Sequence, residues 1–118
     1  MRVHDGAAIE FVAPTGGVVA DEFYRISGFN LIAVTDAAEG ETFAGEIHPA
    51  YVYRVKVPAG VTANKGSILY IPSAGAVNTD LTNTVTANIP ALLVTEAKDA
   101  GHVCEARLIN GQPTDLLV

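Results

Sequence analysis

The chain is short of charge, sulfur and indole. Only 17% of its 118 residues are Asp, Glu, Lys or Arg, and it has one cysteine, one methionine and no tryptophan. The single cysteine, Cys104, rules out an internal disulfide, which fits a reducing compartment. It stands in the alternating stretch V-C-E-A-R-L-I and reads as a small core residue, not a nucleophile. Seven Lys and Arg against thirteen Asp and Glu give a net charge of −6. That balance argues against a phosphate backbone as partner, because such affinity comes from many basic side chains displacing counterions. Long apolar runs are missing too: nothing approaches the roughly twenty residues of a membrane-crossing helix. Asp5 and Glu10 interrupt Met1 to Ala13, so a chain made without an export signal is expected.

Catalytic and metal motifs are equally scarce. His4, His48 and His102 stand in unrelated contexts and lack the short spacing of a metal site. Asp21-Glu22 and the group Glu39, Glu41, Glu46 read as solvated turn carboxylates, since a hydrolase needs its pair across a pocket with one member desolvated. The stretch Gly60 to Ser67 contains the ingredients of a phosphate loop in the wrong order, K-G-S where G-K-[ST] is required. A strand-like SILYIP follows it instead of the helix whose N-terminus would face the anion. No catalytic, cofactor-binding or metal-ligating residue is therefore expected.

What the chain does have is a phrase written twice. LIAVTDAAEG at 31–40 returns as ALLVTEAKDA at 91–100, with Val34-Thr35-Asp36-Ala37 aligning on Val94-Thr95-Glu96-Ala97 sixty positions later. Each copy reads as a buried strand, a tight acidic turn and a second strand, a unit that could be used twice to build one closed sheet. Turn formers recur throughout: Pro14 to Gly17, Gly28, Glu39 to Glu41, Pro58 to Gly60, Asn64 to Gly66 and Pro72 to Gly75. Ile47 to Val57 looks like the longest strand, with Tyr51, Tyr53, Val55 and Val57 on one face and Val52, Arg54 and Lys56 on the other. Ala76 to Asn88 reads as exposed strand or loop, and short helical turns are expected only around Ala37 to Glu41 and Glu96 to Ala100. The expected fold is all-β, a single small barrel or sandwich of about eight short strands. Its expected parts are an N-terminal arm at 1–8, a β-domain at 9–111 and a tail at 112–118.

LIAVTDAAEGETFAGEI (31–47), G-S-I-L-Y-I (66–71) with S-A-G-A-V (73–77), and ALLVTEA followed by VCEARLING resemble the capsid cement, or head decoration, proteins of tailed bacteriophages. That family often carries the label of a RecA/RadA-like recombinase, which neither the acidic balance nor the failed phosphate loop supports. The chain departs from the family pattern in HPAYVYRVKV and in the tail QPTDLLV (112–118). The resemblance implies a structural virion protein, made in the host cytoplasm. It would bind the major capsid protein on the outside of the expanded shell as a homotrimer and hold the shell against packed DNA. It implies no enzyme activity, cofactor, membrane, nucleic acid or small-molecule substrate.

Candidate contacts with the shell or a neighbouring subunit are Met1, Arg2, Val3 and His4 in the arm and the aromatics Phe23, Tyr24, Tyr51 and Tyr53, a type that anchors interfaces. Leu116 and Leu117, before Val118, complete the set as an apolar stretch that needs a surface to cover. The rival reading is a small β-barrel enzyme or ligand-binding domain in which Asp36, Glu39, Glu96 and Asp99 from the repeated turns line one pseudo-symmetric pocket.

Overall fold

The computed structural model describes residues 8–110. Eight strands follow in order: β1 (Ala8–Val12), β2 (Phe23–Ile26), β3 (Phe29–Ala33), β4 (Thr42–Glu46), β5 (Tyr53–Lys56), β6 (Ile68–Pro72), β7 (Asn88–Glu96) and β8 (Val103–Leu108). They form two four-stranded antiparallel sheets, ordered β1-β4-β3-β2 and β5-β8-β7-β6. The all-β expectation holds. Ala8, the last residue of the segment read as an arm, lies in β1.

The second order is the first with four added to every strand, so the fold is one sheet design used twice. Matching backbone bonds fix the correspondence. Ala33 N–H donates to Glu22 O and Asp21 N–H to Ala33 O, as Val94 N–H donates to Ser67 O and Gly66 N–H to Val94 O. Ala13 N–H donates to Glu41 O as Val57 N–H donates to His102 O, each at 2.8 Å. The written repeat therefore marks a structural duplication, but its alignment is off by one. Ala33, not Val34, is the counterpart of Val94: Ala33 is fully buried and Val94 1% exposed, whereas Val34 is 44% exposed. In a strand a one-residue slip exchanges the faces, which is why Ala33 shares the burial of Val94 and Val34 does not.

Two clusters form the interior. In the larger, Phe23 and Ile32 of the first sheet pack with Val55, Leu69, Ile71, Leu92, Val94, Cys104 and Leu108 of the second. The smaller gathers Phe11, Tyr24, Leu31, Ala33 and Phe43 within the first sheet. β3 is consequently covered on both faces, and Asn30 through Ala33 are all buried. Asn30 and Asn110 are the buried polar residues among those described. The Asn110 amide accepts from Asn30 N–H (2.7 Å) and donates to Asn30 O (2.7 Å) and Ile47 O (3.0 Å). Asn30 Nδ2 donates in turn to Ile109 O at 2.6 Å, and Arg25 Nη1 to Asn30 Oδ1 at 3.0 Å. This satisfied network ties the first sheet to the end of β8.

Three local expectations are corrected. The strand foreseen over 47–57 is only Tyr53–Lys56, because Pro49 cannot donate to a ladder and Tyr51 N–H turns back to His48 O. β7, nine residues long, is the longest strand instead. The turns at 37–41 and 96–100 form no helix, and the helical piece among the described residues is the 3-10 turn Asn78–Asp80. Two sheets, not one closed sheet, hold the repeats.

Candidate functional site

The connection from β4 to β5 joins the two copies of the sheet and carries an aromatic shelf. Pro49 and Ala50 reverse the chain so that the Tyr51 ring lies flat against His48, with centroids 4.4 Å apart and planes 7° apart. Ala50 N–H donates to His48 Nδ1 at 3.1 Å, which fixes the imidazole and leaves Nε2 to carry the proton of the neutral ring. Tyr53 stands behind at 6.4 Å from Tyr51, its hydroxyl donating to Glu46 Oε1 at 2.8 Å. Partial burial, then the bond to and charge of Glu46, push the Tyr53 phenol well above its ordinary range. Tyr51 and Val52 are each about half exposed. The shelf is amphipathic and uncovered, the properties of an interface anchor.

The other sequence-chosen residues go elsewhere. Phe23 is 1% exposed in the larger core, and Tyr24 is buried in the smaller one, where its hydroxyl accepts from Val19 N–H at 2.8 Å. The structure thus brings Tyr51 and Tyr53 together and separates Phe23 and Tyr24 from them. Met1, Arg2, Val3, His4, Leu116 and Leu117 lie outside the described residues.

Of the repeated-turn carboxylates, Asp99 holds its own turn and Asp36 reaches the β1–β2 connection. Asp36 Oδ1 accepts from Ala20 N–H at 2.7 Å, and Asp99 Oδ1 from Gly101 and Val103 N–H at 2.8 and 3.1 Å. Those two backbone donors, Val103 first, hold the Asp99 carboxyl below its ordinary range. Glu96 and Asp99 border a shallow cleft of about 240 Å³ with Arg54 and Glu105, and neither Asp36 nor Glu39 reaches it. Among the described residues no group of three His, Cys, Asp or Glu is placed to hold a metal ion. Asn64 to Ser67 closes as a tight turn into β6, with Ser67 N–H on Asn64 O at 2.8 Å, so no helix N-terminus faces that loop. Cys104 is buried, and burial pushes its thiol up, away from the reactive thiolate.

Sequence reasoning missed a second surface. The first sheet rolls until Phe29, at the tip of the β2–β3 hairpin, meets Phe11 of β1 edge to face at 5.9 Å. Ser27 and Gly28 make that tip with φ of 52° and 83°, the paired left-handed turn that a two-residue hairpin prefers. The S-G pair between apolar runs was the readable trace of it.

A model of the phage cement protein family matches residues 3–108. The chain belongs to that family. No curated protein and no solved structure matches it. Phage cement proteins are structural components of the capsid, and membership assigns this chain to the virion.

Proposed function

We propose that this cement-family protein binds the outer surface of the expanded capsid, as a homotrimer made in the host cytoplasm, and ties neighbouring coat subunits together against the pressure of packed DNA. The family match over residues 3–108 is the observation that carries the reading. A surface with little charge, on which Tyr51, Val52 and Val85 stand uncovered, supports it.

A ligand that binds only the closed, expanded lattice stabilises that lattice by mass action, about 2.7 kcal/mol per site at a hundredfold excess over Kd. Copies repeated over one shell add their contributions even when each contact is modest. A structural clamp needs a stiff body with anchors on its surface, and two hydrogen-bonded sheets with an exposed aromatic shelf suit that need.

Co-sedimentation of the purified protein with undecorated expanded capsids, against unexpanded procapsids and free coat protein, tests the reading. Saturable binding to expanded shells alone, with raised resistance of those shells to heat, is expected. Absence of binding to every form overturns it.

A further inference from the structure

The outer face of the second sheet carries its exposed aliphatic side chains in one line. Leu69 of β6, Leu92 and Val94 of β7, and Ala106 and Leu108 of β8 belong to the larger core, so alternation turns Ile68, Leu93 and Arg107 outwards. The ladders set these three side by side, Ile68 opposite Leu93 and Leu93 opposite Arg107, and the register shifts of the sheet fall beyond them. Carrying the β5–β8 register one residue past Tyr53 places Val52 beside Arg107. Ile68, Leu93 and Val52 are 41%, 37% and 47% exposed. Adjacent strands lie about 4.8 Å apart, so a row across four of them is about 14 Å long. Exposed apolar residues scattered singly need no explanation, but three in one row across a whole sheet do. Val52 also follows Tyr51 directly, so the row runs into the aromatic shelf.

Arg107 is the one charge in the row, exposed and, among the described residues, without an ion pair. Glu105, its neighbour on the same face, stands opposite Arg54, and Arg54 pairs with Asp99 at 3.9 Å. An arginine framed by aliphatic side chains has the composition of an interface centre. Covering it with apolar surface alone would strand a buried charge, whereas a carboxylate gripped by two parallel N–H bonds satisfies it. A second copy of the chain does not supply that carboxylate. A two-fold contact centred on the row sets Arg107 against the copy's Arg107 or Leu93.

We propose that this face is the one that meets the coat, and that its target is an apolar coat patch holding the carboxylate of an Asp or Glu. Arg107 grips that carboxylate while Val52, Ile68 and Leu93 pack around it and exclude water. The inference rests on the cement reading and adds to it the docking face and the chemistry of its target.

The test is quantitative sedimentation with undecorated expanded capsids, comparing wild type with Arg107→Ala, Arg107→Lys and Leu93→Asp. Both positions are exposed, and the urea midpoints of the free variants report whether the fold is kept. Truncating one member of a covered charge pair should lower affinity about thirtyfold or more. Lys, a point charge without the planar fork, should restore only part of it. Wild-type affinity in Arg107→Ala and Leu93→Asp overturns the inference and leaves the cement reading intact. Failure of the wild type to bind any shell overturns the cement reading and this inference with it. Hydroxyl-radical footprinting of the wild type is a second readout that needs no variant. Labelling of Val52, Ile68 and Leu93 should drop on expanded shells. Undiminished labelling there refutes the docking face, and labelling already suppressed in the free protein refutes it too, by giving the row to a second copy.

Discussion

Replacing Asn110 by Ala removes one acceptor and two donations at once, leaving Asn30 N–H, Asn30 O and Ile47 O without their partner. Asn30 is 1% and Asn110 5% exposed, so water does not readily take over. An orphaned buried group costs about 1–3 kcal/mol, and partial relaxation of three such groups gives a loss of about 2–4 kcal/mol. For a chain of this size that is a fall in Tm of about 8–20 °C. The molecule supplies its own control. Asn83 clasps Thr62 in the same two-point manner, accepting from its N–H at 2.7 Å and donating to its C=O at 2.8 Å, but on the exposed surface. Water replaces those bonds, and Asn83→Ala costs under about 1 kcal/mol. Asn110→Asp is worse than Asn110→Ala at neutral pH, since a carboxylate then faces two carbonyl oxygens, and it recovers in acid as protonation restores a donor. Urea denaturation of the four proteins measures all of this. Equal losses for Asn83→Ala and Asn110→Ala would refute the claim that burial, not bond count, sets the cost.

Gly66→Ala and Gly45→Ala separate two reasons for glycine. At Gly66 (φ +91°) an added Cβ meets nothing within 4 Å, so the loss is conformational, about 1–2 kcal/mol. At Gly45 the Cβ would lie 2.9 Å from Leu31 and Phe11 side-chain atoms, and overpacking costs about 1–3 kcal/mol, which Leu31→Val with Gly45→Ala should partly relieve in thermal melts. Asp80→Ala frees Ala76 and Val77 N–H from its carboxylate, and amide exchange should quicken at Arg25, whose N–H donates to Ala76 O, while Ile9 and Val55 are unaffected; a uniform change would point to global loss instead. Tyr53 ionises less readily folded than unfolded, so its contribution is complete below about pH 10, the unfolded value, and is lost as pH rises towards the higher folded value. Stability of the wild type should therefore fall above that pH with a steeper slope than that of Tyr53→Phe, and equal slopes would remove the Glu46 bond from the account.

Period-two alternation and regular turn residues made the fold class legible, because a half-buried strand writes its burial in its pattern. The duplication was legible as well, though at sixty positions where the backbone uses 61, since the similar words V-T-D-A and V-T-E-A stand one residue out of the structural register. The earlier strands recur at shorter spacing: Asp21 and Glu22 match Gly66 and Ser67, 45 positions on. No single offset aligns both halves, so the sequence comparison found only the half where the words are similar. Phe23 and Tyr24 could not be told from interface aromatics, because β2 is buried on both faces and adjacent aromatics enter two different cores. Pro90 concealed the length of β7. It is accommodated beside Tyr70, where the β6–β7 register shifts and its missing N–H does least harm. The shelf was legible as Tyr51 and Tyr53, but the stacking of His48 was not, since it depends on a turn at Pro49 that the alternation seemed to run through.

The change of spacing between the halves has a structural cause. The β2–β3 hairpin turns in two residues, Ser27 and Gly28, while Ser73 to Ala87 separate β6 from β7. That longer connection crosses both copies. Ala76 accepts from Arg25 N–H at 2.7 Å, Val77 bridges Tyr24 on β2, and Thr82 exchanges two bonds of 2.8 Å with Tyr70 on β6. Insertion in one copy thus covers the outer strands β2 and β6 of both, which two identical hairpins could not do. Duplication supplied two sheets with four outer strands, and the asymmetric loop consumed two of them. Among the described residues the others, β1 and β5, are left without a second ladder partner. In a protein whose family works by contact, what covers each strand decides where contact can occur.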